Sequence, residues 1–288
     1  MNSQNFSSFL ENRLAKSGNP ICMGMDPVLE LIPIEGTPEE KIKRFYFEIL
    51  EEVLRRGVSP AVIKPNSAYY ECISIEALRV LQEIIKAYQA AGIPSILDAK
   101  RGDIGKSSAA YAHAAFNVFG ADAVTVSPWM GSDSVAPFLP KDGNKGVYAL
   151  LRTSNKGAAD FQDLPIKEGS TAFFAVAKKL MDWDNGNLGA VVGATHPEEL
   201  ESITRFFVEH NHEIPFLIPG VSIPGVPGGQ GGDAKTVLKA INNGGGKRHF
   251  HVLNSSSGLN FAWQAKGTPN AFATACVDAL ERLADSLR

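Results

Sequence analysis

Two stretches of the chain read Ala61-Val62-Ile63-Lys64-Pro65-Asn66 and Ser95-Ile96-Leu97-Asp98-Ala99-Lys100. Each is a short, largely apolar run that ends in polar residues, which is typical of a buried strand. Between them, Ile75–Ala91 has the apolar spacing of an amphipathic helix. A strand, a helix and a second strand in this order predict parallel pairing, because the helix must return the chain to the same end of the sheet.

The same unit recurs along the whole chain. The predicted strands are Ile21–Asp26, Ala61–Asn66, Ser95–Lys100, Ala123–Ser127, Gly146–Ser154, Leu188–Thr195, Phe216–Val221 and His249–Ser256. The predicted helices are Glu39–Arg56, Ile75–Ala91, Lys106–Phe119, Ser170–Trp183, Pro197–His210, Ala234–Asn243 and Pro269–Leu287, with the weakest pattern in Gly131–Phe138. Repeated strand–helix units in this number favour closure into a (β/α)8 TIM barrel.

An open doubly wound sheet is the alternative. Its dinucleotide-binding form carries Gly-x-Gly-x-x-Gly after the first strand, whereas this strand ends Met23-Gly24-Met25-Asp26-Pro27. The length of 288 residues is close to the roughly 250 of one barrel, so residues 1–288 are predicted to form a single domain. A predicted helix over residues 6–16 places its apolar residues on one face, which would cap the barrel bottom.

Composition argues against several classes of function. The 28 Lys and Arg against 31 Asp and Glu give a formal charge of −3 without long basic runs, which disfavours nucleic acid as a partner. Cys22, Cys72 and Cys276 form no C-x-x-C pattern, so we expect neither disulfides nor a zinc site, and a reducing cytoplasm as the location. No segment approaches the ~20 apolar residues of a membrane span, and the first residues lack a secretory pattern.

Polar residues gather where the predicted strands end, which is where barrel enzymes carry their chemistry. They are Asp26, Lys64, Asn66, Asp98, Lys100, Ser127, Ser154 and Thr195. Asp98 and Lys100 are two apart on one strand and therefore share a face. A simple ion pair is one interpretation of these two residues. Charge directly after the apolar Ile96-Leu97 is costly, however, and favours a functional role, as it does for Lys64 after Ala61-Val62-Ile63.

The run Asp98-Ala99-Lys100-Arg101-Gly102-Asp103-Ile104 resembles the D-x-K-x-x-D-I signature of the orotidine 5′-phosphate decarboxylase family. The resemblance extends to Gly24-Met25-Asp26-Pro27, to Val62-Ile63-Lys64-Pro65-Asn66, and to Gly220-Val221 with Gln230, and points to the longer bacterial branch. It implies a carboxy-lyase without a cofactor or metal that converts orotidine 5′-phosphate to UMP and CO2, the last step of de novo UMP synthesis. It also implies a homodimer in which Asp103 and Ile104 reach into the site of the neighbouring subunit.

The resemblance implies a charge network of Lys64, Asp98, Lys100 and Asp103. Loss of CO2 leaves an electron pair on C6 of the pyrimidine, and without a cofactor as electron sink a fixed cation must stabilise it. Lys100 is the predicted cation and proton donor, flanked by Asp98 and Asp103 and kept from bulk water by the barrel mouth. Asp98 would also crowd the departing carboxylate. Lys64 would position Asp98 and the ribose hydroxyls.

Further substrate contacts are predicted around this network. Asp26 would accept hydrogen bonds from the ribose, and Asn66, Ile104 and Ser107 are further predicted contacts. Ser154 is the predicted contact to the pyrimidine, with a helix N-cap or turn serine as the alternative.

The substrate phosphate needs a separate cradle. The glycine-rich Gly225–Asp233 and the serine-rich Asn254–Gly258 follow the last two strands, where this fold commonly binds phosphate. The resemblance implies Gln230 as a phosphate ligand on a closing loop, although a glycine-rich stretch is also typical of a surface loop.

Two positions depart from the family pattern. Ser107 stands where many members carry Thr and keeps the hydroxyl. Ser257 stands where the family usually has an Arg that grips the phosphate in a bidentate manner. Backbone amides, hydroxyls or another basic residue would then hold the phosphate, and weaker substrate binding is predicted.

Three other functions compete with this interpretation. A Mg2+-dependent sugar-phosphate decarboxylase or aldolase of the same superfamily shares the D-x-K-x-x-D run, but Lys64 would repel the ion. A Schiff-base aldolase needs an unprotonated lysine, which neighbouring carboxylates oppose. A non-catalytic phosphate-binding barrel is disfavoured because all four charged residues, Lys64, Asp98, Lys100 and Asp103, are present. The pairs His210/His212 and His249/His251 lie at the starts of the last two predicted strands, on the face opposite the expected chemistry, so structural or solvated histidines are expected and no metal site is predicted.

Overall fold

Eight parallel strands form a barrel in the computed structural model, which describes residues 5–140, 143–166, 169–223 and 231–287. They are β1 (Ile21–Met25), β2 (Val62–Pro65), β3 (Ile96–Arg101), β4 (Ala123–Val126), β5 (Gly146–Arg152), β6 (Leu188–Val192), β7 (Phe216–Pro219) and β8 (Val252–Ser255). The hydrogen-bonded order is β2-β1-β8-β7-β6-β5-β4-β3. Parallel bridges from Ile63 to Ser95 and from Asn66 to Asp98 join the two end strands and complete the ring. The prediction of a (β/α)8 barrel is confirmed.

Helices precede, connect and follow the strands along the chain. They are α1 (Phe6–Ser17), α2 (Pro38–Arg56), α3 (Ala68–Glu71), α4 (Ile75–Ala90), α5 (Gly105–His113), α6 (Ser132–Val135), α7 (Ala172–Trp183), α8 (Pro197–Glu209), α9 (Ala234–Asn243), α10 (Ser257–Asn260) and α11 (Phe272–Ser286). Local chemistry sets their ends: α2 begins with a reciprocal cap between Thr37 and Glu40 and ends at the left-handed Gly57. Among the described residues, no helix combines the length and apolarity needed to cross a membrane.

Some predicted elements differ from the structure for local reasons. The helix predicted over Lys106–Phe119 is α-helical only to His113 and continues as five π-helical residues, Ala114–Val118. The strand predicted over Phe216–Val221 is interrupted at Gly220, whose φ of 83° turns the chain away from β7. Val221–Ser222 then pairs with Gly232–Asp233 outside the barrel.

Helix α1 packs against residues near the starts of the strands. Phe6, Leu10 and Leu14 are buried in one cluster with Cys22, Val62, Ile96 and Tyr148, among others. The rings of Phe6 and Tyr148 meet edge to face, with centroids 5.7 Å apart. A Cβ atom at Gly146 would come within 2.5 Å of the Phe6 ring, so this close approach requires glycine. These contacts support the predicted cap over the barrel bottom, and the single domain stays a prediction.

The histidines before β7 and β8 contact groups of the protein itself. His251 is fully buried, and its Nδ1 accepts a hydrogen bond from the Phe216 N–H at 3.0 Å. The Nε2 of His212 lies 3.0 Å from the Asp184 carboxylate. These contacts support a structural role for both histidines.

Candidate active site

The charged side chains of β2 and β3 meet at Asp98. Its Oδ2 accepts a hydrogen bond from Lys64 Nζ at 2.8 Å, and its Oδ1 accepts one from Lys100 Nζ at 2.6 Å. The Thr125 hydroxyl of β4 also donates to Oδ1, at 2.9 Å. Asp98 and Lys64 are only 6% and 4% exposed, so this ion pair is withdrawn from water. The structure thus brings Lys64, Asp98 and Lys100 together.

The ion pair shifts the pKa of both buried partners toward the charged form. Burial alone would raise the pKa of Asp98, but the Lys64 and Lys100 ammonium groups lower it well below its usual range. Burial alone would lower the pKa of Lys64, but the Asp98 and Asp26 carboxylates raise it above its usual range. Both groups therefore stay ionised at neutral pH.

Lys100 combines an unusual backbone with an accessible side chain. Its φ is 45°, in the left-handed region that a non-glycine residue rarely adopts. Residues held in such unfavourable backbone conformations are often found at functional sites. Its side chain is 48% exposed, which differs from the expected shielding from bulk water. Within the described part of a single chain, the Lys100 ammonium group bonds to Asp98 and not to Asp103, so the predicted second flanking carboxylate does not cover it.

Asp103 and Ile104 stand apart from this cluster within one chain. The Asp103 carboxylate accepts the Ile104 N–H at 2.8 Å instead of contacting Lys100, and the Asp103 carbonyl accepts the Ser108 hydroxyl. Ile104 is 53% exposed. The predicted four-residue network is therefore a three-residue network within the single chain, and the role of Asp103 across a dimer stays a prediction.

Asp26 and Asn66 lie at the ends of β1 and β2. Oδ1 of Asp26 is buried and has no hydrogen-bond partner among the described residues. A buried acceptor of this kind is suited to a ligand hydroxyl, because leaving it unpaired is costly. Oδ1 of Asn66 is already used, since it accepts the Ala68 N–H at 3.2 Å.

Three predicted serine contacts are exposed. Ser107 lies in the first turn of α5, Ser154 beyond β5, and Ser257 begins α10 directly after β8. Asn155, rather than Ser154, is the N-cap of the 3-10 helix that follows β5, so the N-cap alternative for Ser154 is wrong, and the turn serine is the alternative that is left. Gln230 lies outside the described residues, as does most of Gly225–Asp233.

The loop after β8 closes against β1. A Cβ atom at Gly24 would come within 1.9 Å of the Ser256 hydroxyl oxygen, so the approach requires glycine. Asn260 Nδ2 donates to the Gly24 carbonyl at 2.9 Å. This close approach explains why position 24 is glycine, and it places Ser256 against β1.

Sequence reasoning missed Thr125. It lies in Ala123-Val124-Thr125-Val126, where it is the one polar residue of an otherwise apolar run. That feature was the available signal, because a hydroxyl inside a buried strand needs a partner. The partner, Asp98, could be identified only from the pairing of β3 with β4.

The site offers little to a metal ion. Both Asp98 oxygens already accept bonds from ammonium groups, and the described residues contain no group of three or more His, Cys, Asp or Glu placed to hold a metal. A cavity of about 460 Å³ lies instead beside the starts of the strands and is lined in part by Asp184, His212 and Lys247. We assign the site to Asp98, because barrel chemistry lies at the opposite end.

Comparisons with known proteins show which sequences and structures this chain resembles. The family model described as "Orotidine 5′-phosphate decarboxylase / HUMPS family" matches residues 20–252. An orotidine 5′-phosphate decarboxylase of Halobacterium salinarum is 35% identical over 97% of this chain and 98% of its own length. The solved structure of Leishmania donovani OMP decarboxylase is 32% identical with a TM-score of 0.71, over 97% of this chain and 98% of that one. Leishmania donovani UMP synthase is 33% identical with a TM-score of 0.74, and the match covers 96% of this chain and 56% of that one.

Proposed function

The chain belongs to the orotidine 5′-phosphate decarboxylase / HUMPS family, and on that premise we propose that it converts orotidine 5′-phosphate to UMP and CO2. The reaction would be the last step of de novo UMP synthesis. One observation carries the proposal: a buried carboxylate, Asp98, holds the Lys64 and Lys100 ammonium groups, and Lys100 remains accessible. A cytoplasmic location stays a prediction, which the three free cysteines support.

Lys100 supplies the cation that this reaction needs. The bond between C6 and the carboxylate breaks, CO2 leaves, and the electron pair stays on C6. The Lys100 ammonium group stabilises that pair and then transfers a proton to C6, which gives UMP and a neutral amine that solvent reprotonates. Asp98 fixes the position of this ammonium group and opposes the departing carboxylate, while Lys64 keeps Asp98 ionised and in place.

The remaining substrate contacts are part of the proposal, and their support differs. Asp26 supports a ribose contact through its buried Oδ1, which has no hydrogen-bond partner in the part of the chain that the structure describes. Ser154 and Ser257 are exposed beyond β5 and β8, as contacts to the pyrimidine and the phosphate require. Gln230, Asn66, Ile104 and Ser107 are retained as substrate contacts on the strength of the resemblance.

A homodimer would complete the site. Exposed apolar side chains near the ends of β3, β4 and β5 include Ile104, Tyr111, Trp129, Met130 and Phe161. A surface of this kind is typical of a protein interface, and a second copy placed there would bring its Asp103 and Ile104 toward Lys100. Such a copy would also cover the half-exposed ammonium group.

Mixing inactive variants tests the shared site. Lys100→Ala and Asp103→Ala are each expected to be inactive, but random exchange of subunits should restore roughly a quarter of the wild-type sites. Mixing Lys100→Ala with Asp98→Ala is the matched control and should restore nothing, because both residues belong to the same chain's site. Equal recovery in the two mixtures would contradict the shared site.

The alternatives make different predictions. The ammonium groups on both Asp98 oxygens disfavour a Mg2+-dependent sugar-phosphate enzyme of the family. Purified protein should deplete the absorbance of orotidine 5′-phosphate equally with and without EDTA. Loss of turnover in EDTA would favour the metal enzyme, and trapping by borohydride with a carbonyl substrate would favour a Schiff-base aldolase. No turnover of any of these substrates would favour a non-catalytic phosphate-binding barrel.

A further inference from the structure

The pairing of β3 with β4 is interrupted beside the charge network. Leu97 pairs with Val124, whereas Arg101 pairs with Val126. The three residues Asp98–Lys100 therefore lie opposite the single residue Thr125. A bulge of this kind re-aims side chains and leaves backbone groups without their ladder partners.

The Thr125 hydroxyl occupies this interruption. Its Oγ1 accepts the Lys100 backbone N–H at 2.9 Å and donates to Asp98 Oδ1, also at 2.9 Å. Thr125 is 1% exposed, so the hydroxyl is buried with both its donor and an acceptor position in use. One hydroxyl thus joins the backbone of Lys100 to the carboxylate that holds the Lys100 ammonium group.

We propose that Thr125 is a positioning residue for the decarboxylation: its hydroxyl holds Lys100 in the left-handed conformation that aims the ammonium group at C6. The proposal rests on the proposed function and adds a residue that acts through Lys100 and Asp98. The left-handed backbone of Lys100 is unfavourable for a side chain with a Cβ atom. The hydrogen bond from its N–H to Thr125 offsets that cost.

Two matched pairs of variants isolate the hydroxyl. The first pair is the wild type and Thr125→Val, whose side chains have the same shape and differ only in the hydroxyl. The second pair is Thr125→Ser and Thr125→Ala, which both lack the methyl group and again differ only in the hydroxyl. We expect kcat to fall about 10- to 100-fold from Thr to Val and from Ser to Ala, with KM little changed, because small misplacement of a reacting group has effects of this size. Thr125→Ser should retain most of the wild-type kcat.

A purely structural role predicts another pattern. Thr125→Val would then lower the melting temperature while the folded protein kept its kcat, which would overturn the proposal. If Thr125→Val does not fold, the Ser and Ala variants decide the question by the same criterion.

Crystal structures of the wild type and of a hydroxyl-free variant provide a readout that does not depend on activity. We expect Lys100 to leave the left-handed region and its Nζ to move from the 2.6 Å contact with Asp98. An unchanged Lys100 would overturn the proposal. If the wild type does not turn over orotidine 5′-phosphate, the proposed function is refuted. The crystal comparison still tests separately whether the Thr125 hydroxyl holds the backbone of Lys100.

Discussion

At the carboxyl end of the barrel, Asp98 holds two ammonium groups, and Lys100 carries one of them on a left-handed backbone with a half-exposed side chain. At the amino end, His251 is fully buried with its Nδ1 occupied by a backbone N–H, and α1 packs Phe6 and Leu10 over the strand starts. The carboxyl end thus has an accessible charge and an unfavourable backbone conformation at Lys100. At the amino end, the side chains are buried and closely packed. Substitutions at the two ends should therefore separate activity from stability.

The largest effect is expected at the carboxyl end. Lys100→Ala should lower kcat by about 10³-fold or more, the scale of removing a preorganised electrostatic group, and should leave the fold largely intact because the side chain is half exposed. Steady-state turnover and circular dichroism measure the two quantities. Lys86→Ala, which removes an exposed lysine from α4, is the control and should keep its kcat. Substantial turnover by Lys100→Ala would contradict the proposed mechanism.

The next effect is expected at the amino end and in stability alone. Leu10→Ala should lower the free energy of unfolding by about 2–5 kcal/mol, because Leu10 is fully buried and the change leaves a cavity. The kcat of the folded protein should be unchanged. Leu54, which is 57% exposed on α2, provides the control, and Leu54→Ala should have little effect on chemical denaturation. A loss of kcat in folded Leu10→Ala would contradict the expectation that the amino end affects stability and not activity.

A smaller gain in binding is expected at Ser257. Ser257→Arg should lower KM about tenfold, because a guanidinium group can bind the substrate phosphate in a bidentate manner, and added salt should reduce the gain. Ser202→Arg adds the same charge on the exposed face of α8 and is the control. An unchanged or raised KM in Ser257→Arg would refute the assignment of this loop to the phosphate.

The smallest effect concerns the pH dependence of stability at the amino end. Burial lowers the pKa of His251, although Glu213 opposes the shift. The folded pKa lies below the unfolded value, so the stability from neutral His251 is fully present above about pH 6.5 and is lost as pH falls below it. One proton changes stability by at most about 1.4 kcal/mol per pH unit. His251→Asn keeps an acceptor for the Phe216 N–H and should lose less stability between pH 7 and 5; equal losses in both proteins would contradict this linkage.

Prediction from sequence succeeded where neighbours along the chain carry the information. The alternation of apolar strands and amphipathic helices predicted the barrel, and the spacing of Asp98 and Lys100 predicted that they share a face. Gln230 and the cross-subunit role of Asp103 stay predictions. The accessible side chain of Lys100 was not anticipated, because exposure depends on which elements cover a residue and not on its neighbours in sequence.

The sequence by itself determined the order of strands and helices and the charged residues that end β2 and β3, because backbone periodicity and the cost of buried charge act locally. Tertiary structure alone decided that Thr125 faces the bulge at Asp98–Lys100 and that the Ser256 side chain packs against Gly24. Both contacts depend on the register between strands that are distant in sequence, and register is set by packing around the whole ring.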